Sequence, residues 1–324
     1  MDIVIIGAGL GGLAAAAVLQ RRGHRVRVYE QAPQLGEVGA GIQMSANAMK
    51  VLDAIDLRAP LEPVAVRPQA FEFRRYDSGE HLHRIPLGAA HEQRHGAPYF
   101  QLHRADLHAA LQRAVLAHDA GAVRLQARAT TIDETPDAVR VQFDDGTVAE
   151  AELLVGADGI KSVVRRHVLG DDRPQFTGQV AWRCIVPTER IAPELRTDIV
   201  STIWCGPHNH AVTYYLRAGT LLNFVGCVER ELADEESWTA RRPWEELDAD
   251  YAGWHPMVRA VVEQVDRDQC FRWALNNRVP STRWGSERIT MLGDAVHATL
   301  PYMAQGAAMA IEDAAVLARA LDLP

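Results

Sequence analysis

The opening stretch MDIVIIGAGLGGLAAAAVLQRRGHRVRVYE leaves few folds open to this chain. Ile3–Ile6 is a short β-branched run of the kind buried on both faces of a parallel sheet. Gly7, Gly9 and Gly12 follow in G-x-G-x-x-G spacing, and an Ala/Leu-rich helix then runs to about Arg22 and ends at Gly23. Arg25 to Glu30 reads as a second strand. Strand, glycine turn, helix and strand within roughly 30 residues make a βαβ unit. The first glycine permits the tight turn, the second lets the backbone approach a pyrophosphate, and the third lets helix and strand pack closely. Leu10, at the helix start, belongs to the same candidate set. Glu30 ends the second strand 18 residues after Gly12, where its carboxylate can accept from a ribose diol. The spacing alone is a weak signal, and a tight turn without ligand is the alternative. Its context and the acidic residue point to a bound adenine dinucleotide.

The rest of the chain changes character. Phe71–Arg74 and His81–Ile85 alternate around an Asp77-Ser78-Gly79 turn and read as a hairpin. Residues 104–117 read as a helix with Leu107, Leu111 and Val115 on one face. Val139–Phe143, an Asp144-Asp145-Gly146 turn and Thr147–Val155 read as another hairpin. Strand-like pieces recur at Val180–Val186, Ser201–Trp204, Ala211–Leu216 and Leu221–Val228. Helical character returns from Trp244 to Val265 and from Ala304. The order implies an α/β Rossmann-like dinucleotide-binding domain built from residues 1–65, 102–176 and 274–324. A mostly antiparallel β-sheet domain, residues 66–101 and 177–273, is inserted into it.

Composition excludes several functions. The net charge is −8 and the basic residues are scattered, so no nucleic-acid footprint is present. No apolar run approaches the ~18 residues of a membrane span. The four cysteines include no C-x-x-C pair and the histidines are dispersed, so neither a metal site nor a disulfide framework is expected. Reduced thiols fit a cytoplasmic protein. The chain stops at Leu323-Pro324 just beyond a helix, which suggests that the natural protein continues. Ser162 lacks a G-x-S-x-G elbow, which leaves a hydrolase without support.

Two later segments decide between NAD and FAD. Leu154-Val155-Gly156-Ala157-Asp158-Gly159 is a strand ending in Asp-Gly before a helix, and Ile289–Leu292 leads into Gly293-Asp294-Ala295. With the N-terminal fingerprint, these resemble the three signatures of the single-component flavin-dependent aromatic hydroxylases, from Asp2 to about Leu321. Gly39–Gln43, Tyr99–Leu107 and Tyr302–Ala307 resemble most the hydroxylases of 6-hydroxynicotinate, 3-hydroxybenzoate and salicylate. The resemblance implies non-covalent FAD, NADH or NADPH as electron donor, O2, and hydroxylation of a small hydroxylated aromatic acid through a flavin C4a-hydroperoxide. It places Asp294 against the ribityl hydroxyls and Asp158 near FAD and the path of the nicotinamide donor, although Asp158 could instead cap its helix. It places Arg104 on FAD phosphate or flavin and Gln43 in the flavin pocket. Pro301, Gln305, Gly306 and Ala307 lead a helix N-terminus to the pyrimidine end of the flavin, where negative charge develops on reduction.

His210 and Tyr214 stand four apart, on one face of a strand. A histidine there can take the proton of a substrate hydroxyl and a tyrosine can hold its oxygen. Several relatives carry a similar pair, although a lone sheet histidine is often structural. Tyr302 stands where relatives carry histidine, which leaves the preferred ring system open. A homodimer is compatible with this reading. The alternatives are a flavoprotein of the same fold with oxidase, reductase or halogenase chemistry, or a non-catalytic dinucleotide sensor.

Overall fold

The apolar runs become strands of a parallel sheet. The computed structural model describes residues 1–36, 40–231 and 241–323; Gly39 and Pro324, named above, lie outside them. Five strands pair in the order Ile289–Met291, Leu153–Gly156, Asp2–Ile6, Arg25–Tyr29, Val123–Arg124. Every pairing is parallel. Ile3 and Ile5 point into a core shared with helices Leu10–Arg21, Arg104–His118 and Gly306–Leu321. Val4 and Ile6 point the other way, onto Val139, Val141 and Phe143 of a three-stranded antiparallel sheet. Burial on both faces is why the sequence is apolar without alternation.

Small residues set the helix packing. Ala14, Ala308, Ala310, Ala314 and Ala318 are buried, which brings the first helix and helix Gly306–Leu321 close together. A Cβ on Gly11 would lie 2.7 Å from Leu292 Cδ1 and 3.1 Å from Ala310 Cβ.

A seven-stranded sheet runs Phe271–Asn277, Gln175–Pro187, Leu221–Glu229, Asn209–Leu216, Ser201–Gly206, Ala70–Arg75, His81–Pro86. All pairs are antiparallel except Ser201–Gly206 with Ala70–Arg75. One face carries Val180, Trp182, Cys184, Trp204, Ala211 and Phe224 and packs on helices Trp244–Asp250 and Pro256–Glu263. The opposite face looks toward the parallel-sheet layer. A short antiparallel ribbon, Gly41–Met44 with Phe100–His103, lies between them.

Three local expectations need correction. The hairpin strand expected over Thr147–Val155 ends at Ala151, and Leu153–Gly156 joins the parallel sheet instead. Leu153, Leu154 and Val155 are apolar without alternation, so one buried face cannot accommodate them. The helical stretch expected from Trp244 to Val265 is two helices, since Pro256 opens the second at a position needing no amide donor. The helix expected from Ala304 starts at Gly306. Pro301–Met303 forms a 3-10 turn, and Ala304 takes the left-handed conformation at φ 51°.

Candidate active site

The glycine turn shows which of its members is structural. A Cβ on Gly12 would stand 2.0 Å from Gly7 O, and one on Gly7 would stand 2.3 Å from Ala157 O. A Cβ on Gly9 would meet nothing within 4 Å. Gly7 and Gly12 therefore hold the turn together, while Gly9 faces open space. Gly9 is also the N-cap of the helix that Leu10 opens, and no side chain caps it. The first amides of that helix thus aim into the same space with positive partial charge. Beside the turn, Glu30 accepts from Ala8 N at 2.8 Å and Ala32 N at 2.9 Å.

The third motif closes the other end. Gly293, at φ 58°, donates its N–H to Asp313 Oδ2 at 2.8 Å, and His297 Nε2 lies 2.5 Å from the same oxygen. This fixes the turn that presents Asp294. Burial raises the Asp294 pKa, against the pull of Arg104 and His297. The residue is nevertheless exposed to solvent, so its carboxylate stands in a recess that protein surrounds but does not fill. Arg104 opens helix Arg104–His118 and donates its backbone N–H to Ala40 O at 2.8 Å. After Pro301 and Tyr302, Gln305 Nε2 donates to Met303 O at 3.0 Å. Gly306 and Ala307 then begin a helix with no side-chain cap.

Asp158 is committed to a cap. Ser162 Oγ donates to its Oδ1 at 2.6 Å, and the amides of Val163 and Val164 donate to Oδ2 at 2.7 and 3.3 Å. Burial still pushes its pKa up, against these donors. Of the two roles weighed for its side chain, capping is the one that the geometry displays.

The seven-stranded sheet presents the remaining candidates. Cys227 pairs with both His210 and Ala181, Val225 with Val212 and Arg183, and Asn223 with Tyr214 and Ile185. All of these side chains share the face turned away from the helices. The His210 and Tyr302 ring centroids are 5.5 Å apart, and the Tyr302 hydroxyl donates to Gln179 Oε1. Burial lowers the His210 pKa, which favours the neutral imidazole. Tyr214 lies about 13 Å further along the strand, so the two side chains border one surface without converging on one atom. Tyr214 is only 4% exposed, and burial raises its hydroxyl pKa although Gln43 hydrogen-bonds it. Gln43, itself buried, also accepts from Tyr99 Oη at 2.9 Å. Gly41 N donates to Asn223 Oδ1 at 2.8 Å, fastening the ribbon to the sheet. Between His210 and Tyr214, Val212, Val225 and Ile203 are partly exposed and form an apolar floor.

Sequence reasoning missed Asp313, Asn223, Gln179 and Arg183. A paired Glu312-Asp313 inside an alanine-rich helix was the available signal for the first; the others depend on strand pairing. A separate cleft of about 460 Å³, lined by Ala17, Gln20, Ile55, Leu57 and Arg113, shares no residue with this site. Among the described residues, no group of three or more His, Cys, Asp or Glu could hold a metal ion. No described helix is long and apolar enough to cross a membrane.

Residues 1–323 match a family model described as "FAD binding domain". The chain belongs to this FAD-binding family. It is 40% identical over 319 residues to a 6-hydroxynicotinate 3-monooxygenase of Bordetella bronchiseptica, covering 98% of this chain and 82% of the relative. It is 42% identical over 322 residues to a 3-amino-4-hydroxybenzoate 2-monooxygenase of Streptomyces cremeus, covering 99% and 78%. A crystal structure of Klebsiella pneumoniae HpxO with FAD and uric acid superposes at TM-score 0.89 and 28% identity, covering all of this chain and 80% of that one. The fold is thus the α/β FAD-binding fold, and the protein is an FAD-dependent aromatic hydroxylase supplied with electrons by NAD(P)H. The open space over Gly9, the two uncapped helix starts and the recessed Asp294 carboxylate suit a dinucleotide lying along this side of the sheet.

Proposed function

We propose that the substrate is a small aromatic or heteroaromatic acid already bearing a hydroxyl, and that the new hydroxyl enters the same ring. The observation that carries this is the open apolar floor of Val212, Val225 and Ile203. It lies between His210 and Tyr214, with the Tyr302 ring beside His210 at one end. A planar ring fits such a floor, and the neutral imidazole of His210 can take the ring hydroxyl's proton. The oxyanion then pushes electron density into the ring toward the electrophilic oxygen that bound, reduced FAD supplies from O2. Tyr214, with its hydroxyl kept protonated, donates to substrate or orients the ring.

In the same reading Gly7, Gly9, Leu10 and Gly12 receive the pyrophosphate and Glu30 the adenosine ribose. Arg104 neutralises phosphate, and Asp294 accepts from the ribityl chain. Gln43, Pro301, Gln305, Gly306 and Ala307 surround the flavin, and Asp158 shapes the second turn beside it. FAD is held without a covalent bond. Residues 1–65, 102–176 and 274–324 form the FAD-binding unit and residues 66–101 and 177–273 the substrate unit. Supporting this, all five parallel strands come from the first set, and the seven-stranded sheet is built essentially from the second. Four free cysteines fit a reducing cytoplasm. The assembly in this proposal is a homodimer, which light scattering of the purified holoenzyme tests.

The function is tested by screening 6-hydroxynicotinate, 3-hydroxybenzoate, 3-amino-4-hydroxybenzoate and salicylate for stimulated oxidation of NADH and of NADPH. O2 uptake and hydroxylated product are measured alongside. One acid giving product in step with reductant is the expected result; reductant oxidised to H2O2 with all of them would overturn it.

A further inference from the structure

We infer that Tyr99 is a positioning residue for the hydroxylation: through Gln43 it makes the Tyr214 hydroxyl a donor to an oxygen of the substrate. The inference rests on the placement of Tyr214 at the substrate above. Tyr99 immediately precedes strand Phe100–His103, which pairs with strand Gly41–Met44 in the short ribbon. Ile42, Met44, Phe100 and Leu102 face the core shared with the parallel sheet. Gly41 and Gln43 alternate to the other side, toward the seven-stranded sheet, where a Cβ on Gly41 would stand 2.4 Å from the Tyr214 hydroxyl. Tyr99, Gln43 and Tyr214 are all buried, so the polar atoms they bring together must satisfy one another or a ligand.

A primary amide has two ends of opposite character, one accepting and one donating. The Tyr99 hydroxyl donates to Gln43 Oε1 at 2.9 Å. Its ring stands edge-on to Phe71, with centroids 5.3 Å apart, and to His91, at 6.0 Å; these contacts hold the ring while the hydroxyl reaches the amide. With Oε1 committed to Tyr99, Nε2 is the end that serves Tyr214. The Tyr214 hydroxyl behaves accordingly: burial raises its pKa most, and the Gln43 hydrogen bond pulls it down, as a bond donated to the phenol oxygen does. Burial, and then the charge an ionised Tyr214 would carry, raise the Tyr99 pKa, so both phenols keep their protons. Tyr214 thus receives a hydrogen bond on its oxygen and has its own proton left to give. The end of the floor beside it takes an oxygen that accepts, a carboxylate or a carbonyl. Without the Tyr99 hydroxyl the amide is free to turn, and Oε1 then draws the Tyr214 proton away from the substrate.

The test is a double-mutant cycle on the holoenzyme, using whichever of the acids screened above the wild type hydroxylates. Tyr99→Phe keeps the ring and loses only the hydroxyl. It should raise KM roughly 5- to 20-fold and lower product per NAD(P)H, with FAD content and the rate of flavin reduction within about 2-fold of wild type. Tyr214→Phe should raise KM at least as much. Added to Tyr214→Phe, Tyr99→Phe should change KM by less than about 2-fold, because the residue through which it acts is gone. A Tyr99 that only packs would lower the melting temperature and leave KM and the product ratio at their wild-type values. That result, or single effects that multiply in the double variant, overturns the inference. Should Tyr99→Phe lose FAD or fail to fold, Gln43→Leu decides: a several-fold rise in KM that Tyr214→Phe absorbs supports the inference, and an independent effect or none sinks it. If Tyr214→Phe alone leaves KM and the product ratio unchanged, the placement of Tyr214 at the substrate fails and the inference falls with it. That result is read without touching Tyr99, so the two failures are told apart.

Discussion

Gly9 and Gly12 differ by one position in a motif but by everything in their surroundings. A side chain on Gly9 enters open space, whereas one on Gly12 strikes Gly7 O at 2.0 Å. Gly9→Val should therefore leave apoprotein unfolding within about 0.5 kcal/mol of wild type, as for a substitution that meets no neighbour. Its branched side chain occupies the space offered to the pyrophosphate, so the variant should purify colourless. Gly12→Ala should instead unfold at a lower temperature whether or not FAD is added. Thermal melts with and without FAD, read beside flavin absorbance, separate the two. Normal FAD content in Gly9→Val would falsify the phosphate-facing assignment. His210 is judged by coupling. His210→Ala should retain FAD and still be reduced by NAD(P)H, while hydroxylation slows by about 100-fold. More of the reductant then ends as H2O2, and raising the pH recovers part of the product by ionising the substrate in solution. In the wild type, burial holds the His210 pKa below its usual 6.5. The acid limb of product formation should accordingly lie below pH 6.5, because the base form persists until pH falls through that lowered pKa.

At the scale of elements, helix Gly306–Leu321 offers its uncapped start to one side of the site and, through Asp313, holds the Gly293 turn. Asp313 also holds His297, where burial pulls the pKa down but the Asp313 hydrogen bond and charge prevail, leaving it raised above 6.5. A raised folded-state pKa means that protonated His297 contributes stability fully below pH 6.5, and that this contribution fades as pH climbs through the raised value. Denaturant unfolding of wild type across pH 6 to 9 should show this alkaline loss. Asp313→Asn should abolish it and weaken FAD binding by roughly 1–3 kcal/mol, the scale of a disturbed charge-assisted contact. Much at this scale was legible in the sequence, because βαβ units, turns and helices are specified by neighbours in the chain. The Asp77–Gly79 hairpin and helix Arg104–His118 formed where the patterns put them. The switch of sheets at Glu152 was not legible as a boundary, since Val148–Gly156 can extend as one strand until tertiary pairing divides it. Nor was the left-handed Ala304, a conformation that residue type alone does not call for. His210 and Tyr214 could be placed on one face by counting residues. Arg183 and Asn223 could not be placed beside them, because only the pairing of strands distant in sequence does so.

At the scale of the whole molecule, the hydroxylase is two layers that must meet in one register, since the residues suited to FAD lie on one layer and those suited to the ring on the other. Named contacts join the two layers. Arg217 donates two hydrogen bonds, both at 2.9 Å, to Asp106 at the start of helix Arg104–His118. Nearest the site, Asn223 Oδ1 accepts from Gly41 N at 2.8 Å, with the Tyr214 hydroxyl packed against the same glycine. This last contact joins the ribbon that carries Gln43 to the sheet that carries His210, the two elements proposed to face flavin and ring. Replacing Asn223 with alanine leaves the Gly41 amide without its acceptor, a loss of about 1–3 kcal/mol if water does not substitute. If the contact only stabilises the fold, the melting temperature falls while product per NAD(P)H stays at the wild-type ratio. If it sets the register, FAD content and the rate of flavin reduction persist while that ratio drops, because small misplacements of a reacting ring are costly in rate. Water admitted to the loosened junction would divert further reductant to H2O2. The second pattern is the expected one. It should be shared by Asn223→Ala and, more mildly, by Tyr214→Phe. It should be absent from Arg217→Ala, whose ion pair with Asp106 lies at the exposed edge of the same interface.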